Sequence, residues 1–150
     1  MTQSADSTWS RGLAWAIYGF TAVARQSGEA EFLAVARRCA AFYLTHAPAG
    51  LVPYWDFDVP QDGPRLWDLS EQVSDPAAAA GYRSAALTIL DTLCIDEFLA
   101  RGRPGWEGIL LHGIYHYHKG LGVDESVAWG DHFFVEALVK AVAGRSDAAW

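Results

Sequence analysis

Cysteine, methionine and basic side chains are scarce in this chain: two, one and eleven among 150 residues, against eighteen acidic ones. Each scarcity excludes something. Cys39 and Cys94 have no C-x-x-C spacing and fall on apolar helical faces, so they read as buried free thiols of a reducing compartment. A net charge of −7 argues against a nucleic-acid partner, because a phosphate backbone requires a basic patch. No apolar run reaches the roughly 18 residues of a membrane span, so no membrane partner is expected. Met1 to Asp6 is polar and lacks the basic start of a signal peptide, which makes the cytoplasm the expected location. The glycines around Gly120 and Gly122 follow no strand and form no G-x-G-x-x-G pattern, so no nucleotide site is expected.

Apolar and aromatic residues are plentiful. The apolar fraction is 51%, with seven Trp, six Tyr and seven Phe. The length suits one domain, residues 1–150, with enough chain to bury a core. Aromatics make good core material, and they also form platforms for sugars.

The periodicity is helical. Gly12 to Arg25 is apolar on nearly every side, as in a helix buried between layers, and the small polar residues before it can cap its first turn. Gly28 breaks the chain. From Glu29 to Thr45, Phe32, Val35, Ala36, Cys39, Ala40 and Tyr43 repeat at three and four spacings while Arg37 and Arg38 face away. A buried helix followed by a one-faced helix marks a two-layer α/α architecture. Pro48, Gly50 and Pro53 then open a loop through Gly63. A further helix is expected over Tyr82 to Leu99, with Leu87, Leu90, Cys94 and Phe98 on one side. Gly102 to Gly130 shows no sustained period and reads as a long loop rich in His, Tyr and Trp. The last helix carries Asp131 near its start, where a carboxylate favours the helix dipole.

One arginine stands out. Arg11 and Trp15 are four apart and share a helical face, with Trp9 just before them. A guanidinium pairs a carboxylate in two places and indoles stack on C–H faces, which together suit a sugar acid. On spacing alone, the simpler reading is a packed inner helix whose Arg11 meets a structural carboxylate.

The stretch Trp9-Ser10-Arg11-Gly12-Leu13-Ala14-Trp15-Ala16-Ile17-Tyr18-Gly19-Phe20 resembles the W-S-R-G-Q-x-W-x-I-Y-G-F motif of the unsaturated glucuronyl hydrolases, glycoside hydrolase family 88. Val52-Pro53-Tyr54-Trp55-Asp56-Phe57-Asp58 resembles the family's V-P-x-W-D-F-D segment, and Gly122-Val123-Asp124-Glu125-Ser126-Val127-Ala128-Trp129-Gly130-Asp131-His132-Phe133-Phe134-Val135-Glu136-Ala137-Leu138 its closing G-D-Y-F-F-x-E-A-L helix. Three matches in order form a specific signal. Family 105 is the near alternative. The resemblance implies an all-α fold, an incomplete (α/α)6 barrel of the six-hairpin glycosidase type. It also implies removal of a 4,5-unsaturated uronic acid from the non-reducing end of an oligosaccharide. There an aspartic acid protonates the enol-ether double bond and water adds to the cation, unlike the two-carboxylate displacement.

The same resemblance places this chain in the C-terminal half of the family and the catalytic aspartates in the other half. It therefore implies no catalytic residue here and inactivity of the chain alone. Substrate binding is implied at Trp9, Arg11, Trp15 and Trp55. Leu13 replaces the family's Gln, which removes a donor and an acceptor. After Arg65 the family's inner helix is shortened to Leu66 to Gln72, as by an internal deletion of about a dozen residues. No cofactor and no metal are implied. The implied partners are an unsaturated uronyl oligosaccharide and either a missing N-terminal half or a second copy. The alternatives are a non-catalytic helical remnant that keeps sugar-facing residues and, less favoured, a metal-dependent helical enzyme.

Two weaker constellations remain. Asp56 and Asp58 share a face if their segment is extended, as an acid–base pair would, though structural or site-lining roles suit Trp55 and Asp56 better. His112, His116 and His118 form H-x3-H-x-H, which no single regular element gathers. A metal site would need a loop and a fourth ligand such as Asp124.

Overall fold

The computed structural model describes residues 7–58 and 76–143. The shortened helix expected at Leu66 to Gln72 lies outside the described residues, as does the apparent deletion after Arg65. Four helices dominate: α1 (Ser10–Ser27), α2 (Ala30–His46), α3 (Pro76–Leu93) and α4 (Ala128–Ala143). A two-stranded antiparallel hairpin, β1 (Gly113–His116) and β2 (Leu121–Glu125), stands between α3 and α4, joined by a 3-10 turn at Tyr117–Lys119. The layers are helical as the periodicity predicts. The hairpin occupies the stretch where the sequence shows no helical period.

The start of α1 corrects one expectation. No side chain caps it, and the N-cap position falls on Trp9. The chain before it is held instead by the W-D-F-D segment. Trp9 bridges Asp56, Ser10 N–H donates to the Trp55 carbonyl at 3.2 Å, and Phe57 N–H donates to the Thr8 carbonyl at 3.0 Å. Thus two of the family-like motifs bind each other by backbone. The other end agrees with the sequence: Gly28, at φ 74°, turns left-handed and donates its N–H to Ala24, a turn that glycine makes without a Cβ penalty.

The core lies where α2, α3, α4 and the segment 98–111 meet. Tyr43, Val52, Ile89, Leu90, Leu93, Phe98, Leu99, Leu110 and Phe134 form one cluster, and Leu13 and Ile17 of α1 pack onto it. On α3 the buried stripe is Ile89, Leu90 and Leu93, whereas Leu87 and Cys94 are exposed. The helix ends at Leu93, not Leu99, and the turn after it rotates Phe98 inward on its own account. The apolar face expected from Leu87, Leu90, Cys94 and Phe98 therefore does not exist as one helical face. Cys94 lines an open cleft beside Phe134 and Leu138, and Cys39 is only partly buried, so neither thiol is enclosed as expected.

From 98 to 111 the chain doubles back. Leu99 bridges Leu110, Leu111 N–H donates to the Phe98 carbonyl at 2.8 Å, and Ala100 N–H donates to Ile109 at 2.9 Å. Asp131, in the first turn of α4, uses its carboxylate on this loop. Its oxygens accept the N–H groups of Ile109 and Leu110, both at 2.9 Å, and the Ser126 hydroxyl at 3.2 Å. Gly108 is required there, since a Cβ would sit 1.6 Å from Ser126 Oγ.

Candidate functional site

The guanidinium of Arg11 is the centre of the arrangement. Its residue is 8% exposed, on the first turn of α1. Nη1 donates to the Ile114 carbonyl at 2.9 Å and Nη2 to the Tyr115 carbonyl at 3.0 Å, both on β1. Three indoles surround its carbon: Trp9 at 4.6 Å, Trp129 at 5.2 Å and Trp15 at 5.6 Å from the ring centroids. These distances fall within the range of cation–π attraction, which strengthens as the charge loses water. Backbone carbonyls thus meet two of its nitrogens.

The local sequence explains the indole positions. Trp9 lies against the helix over Gly12, where a Cβ would approach the Trp9 ring to 2.7 Å. The glycine of W-S-R-G is therefore what lets the ring reach the guanidinium. Trp15, one turn on, meets Trp9 edge to face at 6.0 Å and is 45% exposed, so one wall of the cage opens outward. Trp129 comes from α4 and contacts the Tyr115 ring at 5.7 Å.

Of the four residues singled out, Trp9, Arg11 and Trp15 come together. Trp55 adjoins them through the backbone, while its ring stacks on Tyr117 at 5.0 Å and 15° and meets the His118 ring at 5.0 Å. Sequence reasoning missed Trp129, the two β1 carbonyls and the aromatic turn at Tyr117 and His118. Trp129 was legible in principle, since it lies within the third family-like stretch. The carbonyls were not, because a main-chain acceptor leaves no mark in residue identity.

The residues of the two weaker constellations make local contacts. Asp56 is 2% exposed and its Oδ1 accepts the Asp58 N–H at 3.0 Å, while Asp58 accepts the Thr8 N–H at 2.9 Å. The two carboxylates pin the backbone of the motif. His112 Nδ1 contacts Asp124 Oδ1. Among the described residues, no group of three or more His, Cys, Asp or Glu side chains is placed to hold a metal ion. Likewise, no described helix is long and apolar enough to cross a membrane.

The helical layers match part of an (α/α)6 barrel. The chain is similar to unsaturated glucuronyl hydrolases. No protein-family model matches it. It is 34% identical over 153 residues to the unsaturated glucuronyl hydrolase of Bacillus sp. (strain GL1), covering 92% of this chain and 40% of that protein. It is 33% identical over 158 residues to the unsaturated chondroitin disaccharide hydrolase of Streptococcus pyogenes serotype M1, covering 91% of this chain and 38% of that protein. The crystal structure of the Bacillus sp. GL1 enzyme, described as responsible for degradation of glycosaminoglycan, superposes with a TM-score of 0.82. The match covers 95% of this chain and 41% of that one. An unsaturated glucuronyl hydrolase specific for heparin, 32% identical, gives a TM-score of 0.80 over 93% of this chain and 42% of that chain. The chain thus spans about two fifths of the length of the relatives it matches.

Proposed function

We propose that this chain forms the uronate-facing part of a family 88 unsaturated glucuronyl hydrolase, which removes a 4,5-unsaturated uronic acid from an oligosaccharide end. The observation that carries this reading is the Arg11 cage. A fixed cation lies among three indoles, and one of them, Trp15, opens to the outside. A uronic acid offers what such a wall attracts, a carboxylate for the positive field and C–H faces for the rings. The carbonyls of Ile114 and Tyr115 hold the charge in place, so it acts on the sugar from a pre-set position. Trp9, Trp15 and Trp55 line the sugar. Leu13 offers it no hydrogen bond.

The proton donor comes from helices of an N-terminal half that this sequence does not include, the part of the relatives that it does not cover. Asp56 Oδ1 and Asp58 Oδ2 each accept a backbone N–H, a structural use of these carboxylates that supports placing the proton donor elsewhere. The free thiols Cys39 and Cys94 support a reducing, cytoplasmic setting.

The test monitors the ultraviolet absorbance of the C4=C5 bond of an unsaturated uronyl disaccharide mixed with the purified chain, alongside a tryptophan-fluorescence titration. The expected result is a saturable fluorescence change with no loss of absorbance. Arg11→Leu abolishes the fluorescence change, while a saturated neutral disaccharide produces none. Loss of absorbance with the chain alone would place the acid within it, and Asp56 and Asp58 would then be the first residues to substitute.

A further inference from the structure

Two non-glycine residues flanking the cage have left-handed backbones: His112 at φ 63° and Asp124 at φ 61°. Side chains other than glycine adopt this conformation at a cost, and such outliers persist where surrounding contacts over-determine them. Here the two residues face each other. His112 Nδ1 and Asp124 Oδ1 form a hydrogen-bonded pair.

Their place in the hairpin gives the pair its meaning. Gly113 pairs with Glu125, and the adjacent pair is Ile114 with Val123, so Asp124 is the extra residue of a β-bulge. A bulge kinks its strand and re-aims the residues beside it. Beside it on β1 lie the two carbonyls that hold Arg11, those of Ile114 and Tyr115. The close approach of β2 also requires glycine at 113, where a Cβ would lie 2.5 Å from the Glu125 carbonyl. His112 in turn is seated on the core. Its ring meets that of Phe98, 1% exposed, edge to face at 6.0 Å.

We infer that His112 and Asp124 are positioning residues that fix the bulge and thereby set the two β1 carbonyls that hold the Arg11 guanidinium among its tryptophans. The line of contacts runs from Phe98 to His112, to Asp124, to the β1 carbonyls and to Arg11. The link to sugar binding rests on the uronate-site reading above; the link to Arg11 does not, and the two fail separately.

The experiment uses the full chain without any sugar and reads Arg11 directly. Side-chain 15N NMR, assigned with Arg11→Lys, measures hydrogen exchange of the Arg11 guanidinium, and near-ultraviolet circular dichroism reads the indoles. Asp124→Gly relieves the left-handed backbone while removing the carboxylate. It is expected to retain helix by far-ultraviolet circular dichroism yet speed Arg11 exchange about tenfold or more, the scale of one charge-assisted hydrogen bond. Asp124→Asn tolerates the same backbone and keeps an acceptor oxygen, and is expected to restore slow exchange and the near-ultraviolet signal. His112→Gly breaks the pair from the other side and is expected to match Asp124→Gly. Exchange within about twofold of the unsubstituted chain in either glycine variant, a change well inside one hydrogen bond, overturns the inference. So does an Asp124→Gly chain that loses its helices, since the pair would then be required for folding and not for positioning.

Discussion

Arg11 and Gly12 are neighbours in sequence that depend on the same ring. Trp9 reaches the guanidinium only because residue 12 has no side chain. Gly12→Ala forces the ring away. Overpacking of this kind costs roughly 1–3 kcal/mol, partly offset because alanine suits a helix better than glycine. The expected result is lower stability in denaturant titration with a red-shifted tryptophan emission. An unchanged emission maximum would show that Trp9 has slack. Arg11→Lys tests the guanidinium itself. Lysine keeps the charge but cannot reach two successive carbonyls with a planar fork. One of the carbonyls of Ile114 and Tyr115 then loses its donor, and a loss of about 1–3 kcal/mol is expected. A thermal unfolding midpoint equal to the unsubstituted one would place the guanidinium outside the fold's energetics. The importance of this residue was legible in the sequence, since an arginine on an apolar helix needs a reason. The carbonyls of Ile114 and Tyr115 that it meets were not, because they are main-chain atoms more than a hundred residues away.

At the scale of elements, the bounds of α1 and α2 keep closely to the sequence reading, because both helices are bounded by local signals such as Gly28 and Pro48. α3 does not. Its pattern continues through Cys94 and Phe98, but the helix stops at Leu93 and the buried residues shift to Ile89, Leu90 and Leu93. The cause is tertiary: Phe98 and Leu99 are drawn into the core by the strand-like pairing of Leu99 with Leu110, which competes with further helical turns. The hairpin was illegible for a related reason. Its strands are short and one contains a bulge, so alternation never builds up. If the Phe98 turn anchors this region, Phe98→Ala should cost about 3–5 kcal/mol, the usual range for a fully buried phenylalanine. Leu87→Ala, on the exposed side of α3, should cost far less. Comparable losses in urea unfolding for both would restore the face read from the sequence.

At the scale of the molecule, the pattern of α1 anticipates a helix covered on both sides, yet Trp15 and Val23 are 45% and 41% exposed. The same holds for α4, where Val135, Val139 and Val142 form a stripe at helical spacing and are 43%, 55% and 87% exposed. Phe134 and Leu138 on the other side of that helix are in the core, so the helix is apolar on two faces and only one is satisfied. Matching about two fifths of longer relatives accounts for this: a barrel's helices are written for neighbours on each side, and periodicity reports those neighbours whether or not this chain contains them. Such a stripe associates in water, as contiguous exposed apolar surface does. The purified chain is therefore expected to sediment as a concentration-dependent mixture, copy pairing with copy through α4. Replacing Val135, Val139 and Val142 together by lysine should yield a monomer with unchanged helical circular dichroism, because these side chains contribute little to the core and lysine suits an exposed helix. A chain that is already monomeric at all concentrations would mean that the stripe is tolerated in water, and α4 would then give no sign of a missing neighbour. A triple variant that unfolds would mean that the stripe belongs to the fold and not to an interface.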